Sequence, residues 1–166
     1  MASKRDSIVT ALIAVLNTIT VTNGYNTNLS TGTGGGGAVK PDSVRNQLAV
    51  TPVVLVSVPS EDKDTGDTSR HSYIRNRLSV ELVLYIGQDG TTPVEDQIDD
   101  LVEDVERILL GANLDSPPLS VTGLEEIRLQ GHLKFTVDEE SLDGALMSAD
   151  FYYRHDQDDP RTYGGL

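Results

Sequence analysis

Residues 22–37 read Thr-Asn-Gly-Tyr-Asn-Thr-Asn-Leu-Ser-Thr-Gly-Thr-Gly-Gly-Gly-Gly. How this stretch is read decides the fold class. Gly32-x-Gly34-x-x-Gly37 has the letters of the dinucleotide fingerprint, and taken literally it would make the chain an α/β nucleotide enzyme. That fingerprint works only between a buried strand and a helix, where the helix N-terminus holds the pyrophosphate. No convincing buried strand precedes the run, and Pro41 with a polar stretch follows it. A phosphate loop also needs Gly-Lys-Ser/Thr, where this chain has Gly37-Ala38-Val39-Lys40. The run therefore reads as part of a long flexible loop over residues 30–46. Consecutive glycines are costly to order, so a partner must order them if anything does.

Working outward, the segment before the glycines predicts a helix. Ser3 or Asp6 can cap it, and Ile8, Leu12, Val15, Leu16 and Ile19 recur at helical spacing. Asn23-Gly24 supplies left-handed positions that stop it. After the loop, Leu48 to Val58 contains the continuous apolar run Val53-Val54-Leu55-Val56, which predicts a central strand. Residues 59–71 read as a polar loop. Ser72 to Gly87 predicts a long strand with Leu78, Val80, Leu82, Leu84 and Ile86 on one face. Arg75, Arg77, Ser79 and Glu81 begin the other face, which turns apolar at Val83 and Tyr85.

Gln88-Asp89-Gly90 is a turn. Thr92-Pro93-Val94-Glu95 then combines an N-cap, proline at the first helical position and glutamate three residues after the cap. The helix that follows carries Val94, Ile98, Leu101, Val102, Val105, Ile108 and Leu109 on one side and ends at Gly111. Beyond Ser116-Pro117-Pro118, strands are expected at Ser120–Leu129, His132–Val137 and Ala145–Arg154, with a loose tail over 155–166. The sum is a single α+β domain over residues 1–166. Its sheet is mixed and mainly antiparallel, flanked by two main helices.

Composition narrows the function classes. The chain has no cysteine, which excludes disulfides, thiolate metal sites and a cysteine nucleophile. Thirteen Lys and Arg face 26 Asp and Glu, a formal charge of −13. Such a chain does not grip nucleic acid by neutralising phosphates, although a wall that repels phosphate suits a conduit. The apolar run near the N-terminus is short and broken by Asn17 and Thr18, without a signal peptide's cleavage region. No stretch approaches the length that spans a bilayer. A cytoplasmic site of synthesis is expected.

The candidate chemistry is thin. Glu95, Asp96, Asp99, Asp100, Glu103, Asp104 and Glu106 crowd one helix. Acids at i, i+3 and i+4 share a face, but no histidine interleaves to make a metal site. The face is either simply solvated, or it meets basic groups of another subunit or lines a DNA path. Like charges at that spacing cost a few tenths of a kcal/mol each unless compensated. His71, His132 and His155 have no ligand spacing. His155-Asp156-Gln157-Asp158-Asp159 lacks the glycine and distal glutamate of a calcium loop. No Gly-x-Ser-x-Gly elbow is present. No enzyme activity and no cofactor are expected.

The segment Thr20-Val21-Thr22-Asn23-Gly24-Tyr25-Asn26-Thr27 resembles the Thr-x-x-Asn-Gly-Tyr-x-Thr turn of tail terminator (tail completion) proteins of long-tailed bacteriophages. In that family a short N-terminal helix leads into the turn, and an extended segment, a long strand, an amphipathic helix and closing strands follow. The aromatic-rich last strand and the Asp-Pro after it are matched by Phe151-Tyr152-Tyr153-Arg154 and Asp159-Pro160. The resemblance spans roughly residues 7–160. It departs at 30–40, where many relatives continue in a strand-like stretch and this chain has Gly34 to Gly37.

The resemblance implies a structural virion protein. Such proteins form a ring, typically hexameric, on the head-proximal end of the tail tube. The ring stops tube growth, offers a surface to the head-neck connector and leaves a hole through which DNA passes without specific binding. On this reading Tyr25, Gly34, Gly35, Gly36 and Gly37 lie at subunit boundaries. Arg75 and Arg77, with Arg45, would meet the acidic helix of a neighbour, unless Asp96, Asp99, Asp100 and Glu103 line the conduit. The competing readings are a tail tube or neck connector protein, a small soluble acidic binding module, and an enzyme.

Overall fold

The computed structural model describes residues 3–41, 50–64, 73–87, 91–111, 119, 121–137 and 142–156. Ser3 caps the first helix, α1 (Lys4–Leu16), by accepting the Asp6 N–H on its hydroxyl oxygen at 3.1 Å. The expected apolar stripe is present: Ile8, Leu12 and Leu16 are fully buried, and Ile19 is buried just past the end. The helix stops at Asn17, earlier than Asn23-Gly24. Asn23-Gly24 instead closes a separate single turn over Val21–Asn23, with Gly24 left-handed at φ 85°. The β-branched Thr18, Thr20 and Val21 disfavour a longer helix.

The glycine run is not a loose loop. Gly37–Val39 forms strand β1, parallel to β2 (Val53–Asp64). The Gly36 N–H donates to the Pro52 carbonyl at 2.7 Å, and the Gly37 N–H to the Leu29 carbonyl at 2.9 Å. Gly34 and Gly37 have φ of 96° and 77°, which L side chains rarely adopt. A Cβ on Gly35 would collide with the Leu29 carbonyl oxygen, and one on Gly36 with that of Val50. Glycine is thus required by the chain's own backbone, and the partner that orders the run is the same chain. The Asn17 amide closes the far edge of β1: Oδ1 accepts the Ala38 N–H at 2.9 Å and Nδ2 donates to the Ala38 carbonyl at 3.2 Å. The rest of the expected loop, residues 42–46, lies outside the described residues, as do Arg45, His71, the turn at 88–90 and the tail from 157.

Five strands form one sheet in the order β1-β2-β3-β5-β4, with β3 (Tyr73–Gly87), β4 (Leu124–Val137) and β5 (Leu142–Asp156). Every pairing except β1–β2 is antiparallel. The alternation expected in β3 holds, with Leu78, Val80, Leu82, Leu84 and Ile86 all buried. Both helices, α1 and α2 (Val94–Gly111), join this sheet face in one apolar cluster with Met147, Ala149 and Phe151 of β5. The α+β class and the mainly antiparallel mixed sheet are as the sequence indicates.

Three boundaries differ. β2 continues through residues 59–64, where a polar loop is expected, because a bulge between Ser57 and Ser60 absorbs Pro59 and pairing resumes as far as Asp64. Residues 65–71 of that expected loop lie outside the described residues. The two strands expected on either side of Gln130 are one, β4, with a bulge between Leu129 and Gly131 and Gly131 at φ 105°. His155, expected in the loose tail, is buried within β5.

Candidate interaction surfaces

The turn at residues 20–29 is built from the helix it lies on. Asp104 of α2 is fully buried. Its two carboxylate oxygens accept the N–H groups of Asn26 at 3.0 Å and Thr27 at 2.8 Å. Arg107, one turn on, donates to the Gly24 carbonyl at 2.8 Å and lies 5.1 Å above the Tyr25 ring. Within the turn, the Asn28 side chain accepts the Val21 N–H at 2.9 Å and the Asn23 amide donates to the Thr18 carbonyl at 2.8 Å. Hydrogen bonds to a charged group contribute about 1.5–3 kcal/mol each, so Asp104 alone ties the turn firmly to α2. Tyr25, expected at a subunit boundary, is half-buried beneath Arg107 of its own chain.

The remaining carboxylates of α2 face outward. Glu95, Asp96, Asp99, Asp100 and Glu103 are exposed and Glu106 is half-buried. β4 answers two of them. Lys134 Nζ lies 2.5 Å from Asp99, and His132 Nδ1 lies 3.6 Å from Glu106. Among the described residues no ion pair reaches Asp96, Asp100 or Glu103, and no group of three His, Asp or Glu is arranged to hold a metal.

The sheet face turned away from the helices is charged at one end. Tyr152 lies between the Arg75 and Arg128 guanidiniums, at 4.8 and 4.7 Å. Arg75 pairs with Glu125 at 2.9 Å and reaches Glu126 at 3.7 Å. Arg77 pairs with Asp62 at 2.9 Å, and Arg154 with Glu125. Arg128 grips Glu126 through two nitrogens, at 2.7 and 2.9 Å. That hydrogen-bonded pair holds the Glu126 carboxyl below its ordinary range and raises the Arg128 guanidinium. Asp150 accepts from the Ser79 hydroxyl at 2.8 Å and the Gln130 amide at 2.9 Å.

No family model and no curated protein matches this chain. Among solved structures, it is similar to a chain from the virion of a native gene transfer agent particle. The two share 13% identity, the match covers 92% of each chain, and the TM-score is 0.47. At that score the likeness carries no inference about role.

Of the residues singled out from the sequence, the structure gathers some and separates others. Arg75 and Arg77 come together on the outer sheet face, each with a carboxylate of its own chain. Asp96, Asp99, Asp100 and Glu103 share the exposed side of α2. Gly34 to Gly37 lie away from both, between the turn and β2. Asp104 leaves the acidic set altogether. Its position gives the signal: it falls three residues after Leu101 and four before Ile108, next to the apolar stripe.

Proposed function

We propose that this chain is a structural virion protein. It closes into a ring, typically of six copies, on the head-proximal end of a bacteriophage tail tube. There it ends tube growth and offers a surface to the head-neck connector. The observation that carries the reading is the turn. The Thr20–Thr27 motif on which the resemblance rests is clamped to α2 by Asp104 and Arg107. The motif is therefore a fixed joint between distant parts of the chain. The order around it keeps the helix, turn, long strand, helix and closing strands that the resemblance implies, with two strands, β1 and β2, where the resemblance has one extended segment.

The charge supports a passage for DNA. Asp96, Asp100 and Glu103 project unpaired carboxylates among the described residues, and a wall of that sign lets a polyanion slide without holding it. Arg75 and Arg77 already have carboxylates within their own sheet, which favours the conduit over pairing with a neighbour's arginines. The protein would be assembled in the host cytoplasm and end in the virion, with tube and neck proteins as partners.

Negative-stain images and sedimentation of the purified chain, alone and with tail tubes, test this. Closed rings that cap tube ends are expected. Open filaments would make it a tube protein instead. A monomer at every concentration that ignores tube ends would favour a soluble acidic module and overturn the proposal.

A further inference from the structure

The bulge in β4 creates a surface that plain alternation would not. Ile127 and Leu129 face the helices. Uninterrupted alternation would send Leu133 and Phe135 the same way. The extra residue before Gly131 shifts the pleat, so that His132 and Lys134 face α2 and Leu133 and Phe135 face outward. Leu133 pairs with Leu146, Leu146 with Val83, and Val83 with Leu55, which makes one apolar row across four strands. In the next row Tyr85 and Phe135 meet edge to face at 5.6 Å across Gly144. Exposure falls off across the row: Leu133 is 68% exposed, Leu146, Val83, Tyr85 and Phe135 are half-buried, and Leu55 at the β2 end is buried. A contiguous apolar patch beside a polar surface marks an interaction site more often than a lone exposed leucine does.

We propose that this patch, centred on Leu133, is where a second copy of this chain packs. The proposal rests on the reading above that the chain assembles with itself. Charge selects the occupant. A copy brings a net charge of −13, so it is repelled by the open carboxylates of α2. On the outer sheet face four guanidiniums, Arg75, Arg77, Arg128 and Arg154, are interleaved with the carboxylates of Asp62, Glu125, Glu126 and Asp150, and Glu81, in the row beside the apolar one, adds a fifth carboxylate. Among the described residues the face is therefore far closer to neutral than α2, so a like-charged copy can approach it. A basic partner would be drawn to α2 instead. Packing is face-on, because Arg128, Lys134 and the bulge guard the β4 edge against strand addition, and Asn17 closes the edge of β1. In a ring the patch meets a different surface of the next copy, so one change at Leu133 weakens every junction.

The test is Leu133→Asp, with Leu110→Asp as control. Leu110 is 51% exposed on α2, away from the patch. Sedimentation velocity should show loss of the oligomer in Leu133→Asp only, with circular dichroism like wild type. An oligomer unchanged by Leu133→Asp, with wild type assembled, overturns the patch and leaves the ring standing. A wild-type chain that is monomeric throughout overturns both. Because the chain has no other cysteine, Leu133→Cys gives a second measurement independent of the Asp variant's folding. Its alkylation should be slowed in the oligomer relative to Leu110→Cys. Equal rates at the two sites would contradict the proposal.

Discussion

The solvent side of α2 and the outer face of the sheet are both rich in carboxylates, yet they treat them in opposite ways. On the sheet, Glu125, Glu126, Asp62 and Asp150 each have a guanidinium, hydroxyl or amide partner. On α2, Lys134 and His132 reach only Asp99 and Glu106. The net charge of −13 is therefore unevenly spread. One face is close to neutral and carries an apolar patch; the other is an open acidic wall. The difference teaches that charge in this chain sorts surfaces by what they can meet. Like copies fit the first, and the second holds anions off.

The largest test of the comparison lies inside α2. Asp104→Ala leaves the Asn26 and Thr27 N–H groups without their acceptor. It should cost about 3 kcal/mol in urea unfolding, from the unsatisfied donors. Asp100→Ala, on the exposed side of the same helix, should stay within about 0.5 kcal/mol. Equal costs would mean that the two carboxylates do not differ as their surroundings imply.

The sequence shows this division only in part. The β3 alternation and the apolar stripe of α2 are legible because each depends on near neighbours in sequence, although α2 begins at Val94, one residue later than the Thr92-Pro93 signal places it. The role of Asp104 depends on a turn nearly eighty residues away, so composition groups it with its exposed neighbours. The bulge at Gly131 is harder still. Ile127, Leu129, Leu133 and Phe135 keep strict alternation, and only the inserted residue sends the last two to the opposite face. The glycine run misleads for a related reason. Glycine signals freedom when read alone, but here Gly35 and Gly36 are demanded by the carbonyls of Leu29 and Val50. Tyr25 was legible as part of a motif, whereas its cover, Arg107, lies on another element.

On the sheet side, Arg75→Ala removes the Glu125 pair and one of the two cations on Tyr152. Partly exposed pairs and stacks contribute little, so a loss of about 1 kcal/mol in thermal unfolding is expected. No loss would mean that the sheet network is only arranged, not stabilising. On the α2 side, Asp99→Asn with Asp100→Asn and Glu103→Gln breaks the Lys134 pair but relieves like-charge crowding. The net change should be within a few tenths of a kcal/mol. The ring should still form, with DNA retained more readily at it. A triple variant that falls apart would show that the helix pairs between subunits.

The smallest effect concerns protons. Glu126 titrates below the usual carboxylate range because Arg128 hydrogen-bonds it. With its folded value depressed, its contribution is present above the unfolded value and is lost as pH falls through the folded one. Carboxyl-detected NMR should show this low midpoint, and Arg128→Ala should move it up. An unmoved midpoint would break the assignment of cause.

The central claim is that copies meet on the neutral sheet face and leave the acidic wall free. Sedimentation velocity of the wild-type chain at about 0.1 M and about 1 M salt tests it most directly, since the screening length falls from about 10 Å to about 3 Å between them. The expected result is one closed species that persists or tightens at high salt, because apolar contact is kept and self-repulsion is screened. Dissociation to monomer as salt rises would contradict it, since ion pairs would then be holding the copies together.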